Sequence, residues 1–156
     1  QFFELINPLL NKYSLLVQTI EIQLSYWESL NQTYTNTITS LQKLQSVFWR
    51  NDVDGVITSL MYEKDLLSKY VNLAKARQGY AKGMIEGYNS AYEKFGTEPL
   101  DDKSIKTVND GISEMDGYIL QYDLNNPDSV TATLKTRSTS MDVVVKALFR
   151  RLQNSQ

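Results

Sequence analysis

The chain has 156 residues, of which 42% are hydrophobic and 22% are charged, and its formal net charge is −2. It contains no histidine and no cysteine, which excludes disulfides, imidazole or thiolate metal ligands and Cys–His nucleophile pairs. No basic block accompanies the near-neutral charge, which argues against binding to nucleic acid or to an anionic membrane surface. The length suits one domain, residues 1–156, with a hydrophobic core of its own.

The first predicted element is a long helix with an apolar residue at every seventh position. This column consists of Ile6, Tyr13, Ile20, Trp27, Tyr34, Leu41 and Phe48. Such a repeat is typical of a helix that packs one stripe of side chains against a neighbouring helix. Since neither Gly nor Pro occurs between residues 9 and 48, we predict a helix over about residues 5–48, with Pro8 in its first turn. The stretch 31–40 is rich in threonine and asparagine, which are poor helix formers, and is where this helix can bend.

A second long helix is predicted over about residues 53–95, after a turn signal at residues 50–55. Apolar residues recur at three-four spacing from Ile57 to Phe95, and a second apolar stripe lies beside the first. A helix with so wide an apolar arc contacts two neighbours. The sequence therefore predicts a bundle of at least three helices.

Gly79, Gly83, Gly87 and Ala91 form a row of small residues along this second helix. Each glycine costs about 1 kcal/mol in a helix interior relative to alanine. Either a close helix crossing, a kink or an approaching ligand offsets this cost, or the glycines are tolerated on a partly exposed face.

Two shorter helices follow, over about residues 101–123 and 127–153. Asp101 can cap the third helix, and Asn126 is the predicted cap of the fourth helix, with Pro127 in its first turn. Because the three connections are short, consecutive helices are expected to run antiparallel. The predicted fold class is all-α, an antiparallel up-and-down four-helix bundle.

The two short helices can cover only about half of the long pair. Either the first helix folds back near residues 31–40, or the connection between the long helices protrudes as a two-helix arm. A protruding arm would expose apolar stripes, and this implies a protein partner or a homodimer. Its end would carry Val47, Phe48 and Trp49, which are the candidate interface residues.

Arg77 and Arg137 fall within apolar rows, where a guanidinium requires an acceptor. The acceptor can be an internal carboxylate such as Asp116 or Glu86, which we favour, or the carboxylate of a bound ligand. Both arginines are candidate ligand-binding residues.

Ten tyrosines are many for this length. Tyr80, Tyr88 and Tyr118 are expected where the second and third helices meet. They are either core residues with hydroxyls at the edge or the walls of an aromatic pocket for a small ligand.

We interpret the chain as a non-enzymatic helical-bundle module that acts through helix–helix association, with itself or with a protein partner. The alternative is an extracytoplasmic ligand-sensing bundle, because the architecture is similar to the sensory domains of bacterial chemoreceptors and sensor kinases. No residue pattern indicates a catalytic site, a metal or a cofactor, and no stretch reaches the ~20 apolar residues that membrane insertion requires. Abundant Ser, Thr, Asn and Gln favour an extracytoplasmic or cell-surface location, and the missing initiator methionine leads us to expect a fragment of a longer chain.

Overall fold

The computed structural model describes residues 2–47, 49–95 and 100–154, without the side chain of Phe95. The chain forms four α-helices: α1 (Phe2–Val47), α2 (Asn51–Phe95), α3 (Asp102–Tyr122) and α4 (Val130–Asn154). The described residues contain no strand. The predicted all-α four-helix bundle is confirmed.

α1 passes through residues 31–40 as one uninterrupted helix. The hydroxyl groups of this polar stretch bond within the helix: those of Thr33, Thr35, Thr37 and Thr39 each donate to the carbonyl oxygen four residues earlier, at 2.9–3.1 Å. The apolar face of the same stretch, with Tyr34 and Ile38, is buried. Packing of that face therefore outweighs the low helix propensity of the threonines.

Two helix starts differ from the sequence-based expectation. α1 begins at Phe2, so Pro8 lies inside the helix and not in its first turn. The buried side chains of Phe2 and Ile6 extend the helix towards its amino end. α4 begins at Val130, and its cap is Ser129, whose Oγ accepts a hydrogen bond from the Ala132 amide at 3.0 Å.

Asn126 does not cap α4, because its side chain is used in the turn before the helix. Its Oδ1 accepts from the Asp128 amide at 3.2 Å, and its Nδ2 donates to the Leu120 carbonyl at 3.0 Å. The cap predicted for α3 is present: Asp101 Oδ1 accepts from the Ser104 amide at 2.8 Å. Hydrogen bonding with Ser104 also lowers the pKa of the Asp101 carboxyl below its ordinary value.

α1 and α2 form a long antiparallel pair that contains most of the core. Every residue of the seven-residue column from Ile6 to Leu41 is buried; its last member, Phe48, lies outside the described residues. The facing residues of α2 that are buried include Val53, Leu60, Leu67, Ala74 and Ala81.

α3 and α4 lie one after the other along this pair and form a third row. At the start of the row, Gly111 packs against Leu9 and Lys12 pairs with Asp116 at 2.7 Å. At the end of α3, the Tyr122 ring lies 6.1 Å from that of Trp27. The residue numbers of α3 and of the contacted part of α1 therefore rise together.

α4 continues this progression along the second half of the pair. Lys135 lines a groove with Tyr26, whereas Met141 and Val145 line another with Thr37 and Leu60. At about 1.5 Å per residue, the 21 residues of α3 and the 25 of α4 together span about 69 Å, which equals the length of the 46-residue α1. The long pair is therefore covered along its whole length, without a bare arm or a folded α1.

The connection at residues 123–129 explains why α4 does not reverse direction. Two successive turns, closed by Asn126 N–H to Asp123 O and Ser129 N–H to Asn126 O, carry the chain onward. The first two connections reverse the chain as expected, whereas α4 runs in the same direction as α3.

Candidate binding sites

The first candidate site is a groove around Arg77, where α1, α2 and α3 meet. Arg77 Nη1 donates to Gln121 Oε1 at 2.5 Å and to the Tyr122 hydroxyl at 2.9 Å. The guanidinium carbon lies 4.7 Å from the centroid of the Tyr118 ring, within the range of a cation–π contact. Tyr80 and Glu114 line the same groove, whose volume is about 360 Å³. The structure thus brings together Arg77, Tyr80 and Tyr118.

The charge of Arg77 is not paired with a carboxylate in the described part of the chain. Both of its hydrogen-bond acceptors are neutral, and Asp116, one of the expected partners, pairs with Lys12. Glu114 faces the groove without forming an ion pair with Arg77. The positive charge of Arg77 and the negative charge of Glu114 therefore lie on two different walls of the same groove.

Tyr88 is half-buried and contacts the buried ring of Tyr13. The ring of Tyr13 is 6.4 Å from that of Tyr88 and 6.3 Å from that of Tyr80, and Tyr13 is almost wholly buried. Burial, assisted by the neighbouring phenols, raises the pKa of Tyr13 above its ordinary value, and burial likewise raises that of Tyr88. Tyr88 itself lines a separate groove with Phe2 and Leu100, and not the Arg77 groove.

Arg137 lies in a different part of the bundle. It forms a two-bond ion pair with Glu63, with Nε to Oε2 at 2.8 Å and Nη2 to Oε1 at 2.7 Å. These bonds raise the pKa of Arg137. Glu63 and Arg77 are separated by about 21 Å along α2, at 1.5 Å per residue. The partner of Arg137 is internal, as favoured, but it is neither Asp116 nor Glu86.

The candidate interface residues lie where α1 connects to α2. The side chain of Val47 is 86% exposed and that of Trp49 is 65% exposed. Phe48 lies outside the described residues. The two described side chains are neighbouring apolar groups at one end of the bundle.

A larger apolar surface was missed from the sequence. We call it the Ile22 surface, and it consists of Leu15, Ile22, Tyr26, Leu120 and Leu124, which are each between 42% and 66% exposed. Ile22, Tyr26 and Leu124 line one groove, in which almost all of the surface is apolar.

The alignment of α1 with α3 places Leu15 and Leu120 next to this groove. Leu120 lies one turn beyond Asp116, and Leu15 lies about one turn beyond Lys12, which pairs with Asp116. The spacing of seven between Leu15 and Ile22 was the available signal in the sequence. Only the placement of α3 shows that Leu120 and Leu124 extend it.

Comparison with protein-family models, with curated proteins and with solved structures finds no match for this chain. In the described ranges, no helix has the combination of length and apolar character needed to cross a membrane. The same residues contain no cluster of three or more side chains suited to holding a metal ion.

Proposed function

We propose that this chain is a non-catalytic helical-bundle module that associates through the Ile22 surface with a second copy or with a helical protein partner. The observation that supports the proposal is the exposure of Ile22, Tyr26 and Leu124 along one groove, which the register of α1 and α3 extends to the exposed Leu15 and Leu120. An exposed apolar patch rimmed by polar groups is the usual mark of a protein-interaction site.

The shape of the Ile22 surface favours a helical partner. Leu15, Ile22 and Tyr26 recur at seven and four residues along α1, so they form a ridge beside the groove that Leu124 helps to line. A partner helix can place its own apolar ridge into such a groove, as helices do when they pack in bundles. Lys135, at the edge of the groove, provides a polar rim.

The test compares association of three variants by size-exclusion chromatography with light scattering. We expect concentration-dependent association of the unmodified chain, and we expect Ile22→Asn and Leu124→Asn to weaken it at least tenfold. Met61→Asn is the matched control, because Met61 is a comparably exposed apolar residue on α2, outside the Ile22 surface. A chain that stays monomeric at millimolar concentration would refute self-association. A heterologous interface would then have to be sought by site-specific photo-crosslinking at Ile22, and the absence of crosslinks there would exclude the proposal altogether.

A second candidate function, binding of a small ligand, is favoured by the unpaired charges of the Arg77 groove. Arg77 Nε and Nη2 are not used by any hydrogen bond in the described residues, and Glu114 lines the same groove. A zwitterion such as a free amino acid would place its carboxylate at Arg77 and its ammonium group at Glu114. Tyr80 and Tyr118 would then contact its side chain.

A thermal-shift screen with amino acids and simple organic acids tests this second function. A ligand at about 100 times its dissociation constant stabilises the folded chain by about 2.7 kcal/mol. We expect the shift to disappear in Arg77→Gln and to persist in Arg150→Gln, which changes an exposed arginine on α4. An identical shift in both variants would place the ligand elsewhere.

A further inference from the structure

The buried side chains of α4 lie only near its two ends. They are Thr131, Leu134, Leu148 and Leu152. No side chain between Leu134 and Leu148 is buried. In α3, by contrast, buried side chains recur at every seventh position along the helix: Val108, Met115 and Tyr122. The middle of α4, residues 135–147, therefore contributes less to the packing of the bundle than a comparable stretch of α3.

A groove of about 260 Å³ lies between the middle of α4 and the long pair. Met141 and Val145 line it from α4, and Leu60 lines it from α2. Both α4 side chains are only half-buried, and Val143 beside them is 62% exposed. Since burial of apolar surface supplies most of the free energy that holds a helix in a bundle, the middle of α4 is weakly held.

Polar contacts connect this middle stretch to the long pair. Arg137 forms its two-bond ion pair with Glu63 of α2, and Ser138 forms a hydrogen bond with the Tyr34 side chain of α1. A part of a protein with few buried apolar contacts opens at a lower free energy than the core does. The middle of α4 is such a part, and the ion pair of Arg137 opposes its opening.

α4 also forms part of the groove in the Ile22 surface. Thr131 and Lys135 line this groove from α4, and Ile22 and Tyr26 line it from α1. When α4 moves away from the long pair, the α4 side of the groove is lost, whereas Ile22 and Tyr26 keep their places on α1. A helix that fills the groove contacts both sides, so it binds the closed form of α4 and, by linkage, stabilises that form.

We propose that α4 opens as a unit while α1, α2 and α3 stay folded, and that this opening controls association with a second copy of the chain by removing one side of the Ile22 groove. The control of association rests on the proposed function, whereas the opening of α4 does not depend on it. The ion pair between Arg137 and Glu63 favours the closed form, because it connects α4 to α2 within the stretch that lacks buried side chains.

Hydrogen exchange followed by mass spectrometry tests the opening in the unmodified chain. At low micromolar concentration, the amides of residues 135–147 should be protected at least tenfold less than those of residues 13–27 in the core of α1. Their protection should also fall less steeply with urea, because opening of α4 exposes less surface than unfolding of the whole chain. Equal protection and equal urea dependence in the two stretches would overturn the opening.

Three variants separate the opening of α4 from unfolding of the whole chain. Arg137→Met should lower the protection of residues 135–147 at least tenfold. Lys146→Met is the matched control and should leave it unchanged, because Lys146 pairs with Asp142 inside α4 and not with the long pair. Ala81→Gly, at a wholly buried position of α2 one turn beyond Arg77, should lower the protection of α1 about fivefold and leave that of α4 unchanged. A loss of protection in α4 that equals the loss in α1 in Ala81→Gly would show that α4 does not open separately.

The control of association is tested by the dependence of exchange on chain concentration. Between low micromolar and millimolar concentration, the protection of residues 135–147 should rise at least tenfold in the unmodified chain, and Ile22→Asn should abolish this rise. If light scattering shows association without a rise in this protection, the control of association is refuted while the proposed function stands. If no association is detected, the proposed self-association and its control both fail, and the exchange at low concentration still decides whether α4 opens.

Discussion

The exposed glycines of α2 allow a test of whether this face of the helix is open to solvent. At Gly79, Gly83 and Gly87, an added methyl group would meet no heavy atom within 4 Å, and none of the described glycines has a positive φ. Replacement by alanine therefore creates no clash and no backbone strain. It removes only the entropic cost of glycine in a helix interior, about 0.5–1 kcal/mol at each position.

The triple variant Gly79→Ala/Gly83→Ala/Gly87→Ala should gain roughly 1.5–3 kcal/mol in the free energy of unfolding, since each added methyl group enters open space. For a chain of this size, 1 kcal/mol corresponds to about 2–4 °C, so the melting temperature should rise by roughly 3–12 °C. The measurement is thermal and urea unfolding followed by circular dichroism. The urea dependence of the free energy should stay the same, because no additional surface is buried.

Gly111 is the matched control within α3. A Cβ at this position would lie 3.2 Å from Cδ1 of the fully buried Leu9, so Leu9 must move to accommodate it. Gly111→Ala should therefore stabilise less than each α2 replacement, or destabilise. If the α2 replacements lower the stability, or if they abolish association, the glycine face must be covered by another chain, and the reasoning from open space is refuted.

Two further predictions concern Arg137 and the buried tyrosines. Arg137→Met should lower the free energy of unfolding in urea by about 2 kcal/mol, which is less than for a fully buried pair because the Arg137 side chain is 37% exposed. The double variant Arg137→Met/Glu63→Gln should recover much of this loss. If Arg137→Met is as stable as the unmodified chain, the predicted contribution of the ion pair is wrong. Burial raises the pKa of Tyr13, Tyr34 and Tyr88 above the ordinary tyrosine value of about 10. These buried neutral phenols therefore contribute their full stabilisation below about pH 10, and this stabilisation is lost as the pH rises through their folded-state pKa. An alkaline titration by phenolate absorbance should show three of the ten tyrosines ionising only as the chain unfolds, and ionisation of all ten before unfolding would contradict the burial.

The association surface and the ligand groove depend on different parts of the bundle. The Ile22 surface is formed at the joint between α3 and α4, so its geometry depends on the turns at residues 123–129. The Arg77 groove lies where α1, α2 and α3 meet, and it has no lining residue in those turns. Variants at one site should therefore affect the other only through overall stability, which the unfolding measurements report separately.

The candidate residues show where sequence reasoning succeeds and where it stops. Of the predicted ligand-binding residues, Arg77, Tyr80 and Tyr118 line one groove, because the second and third helices place them on facing sides, whereas Tyr88 lines another groove. Arg137 was grouped with them only because it shares an apolar pattern. Its actual partner, Glu63, depends on the position of α4 along α2, which no periodicity encodes.

The amino-acid sequence alone determined that this chain forms four helices and which face of each is buried, because a repeat of three to four residues places apolar side chains on one side of a helix. The tertiary structure decided that α1 continues through residues 31–40, because burial of Tyr34 and Ile38 outweighs the low helix propensity of the threonines. It also decided that α4 continues beyond α3 instead of reversing. That choice depends on hydrogen bonds within the turns at residues 123–129 and on lengths that match along the long pair. The Ile22 surface and the partner of Arg137 follow from this placement, because apolar periodicity specifies that a face needs a neighbour but not which neighbour covers it.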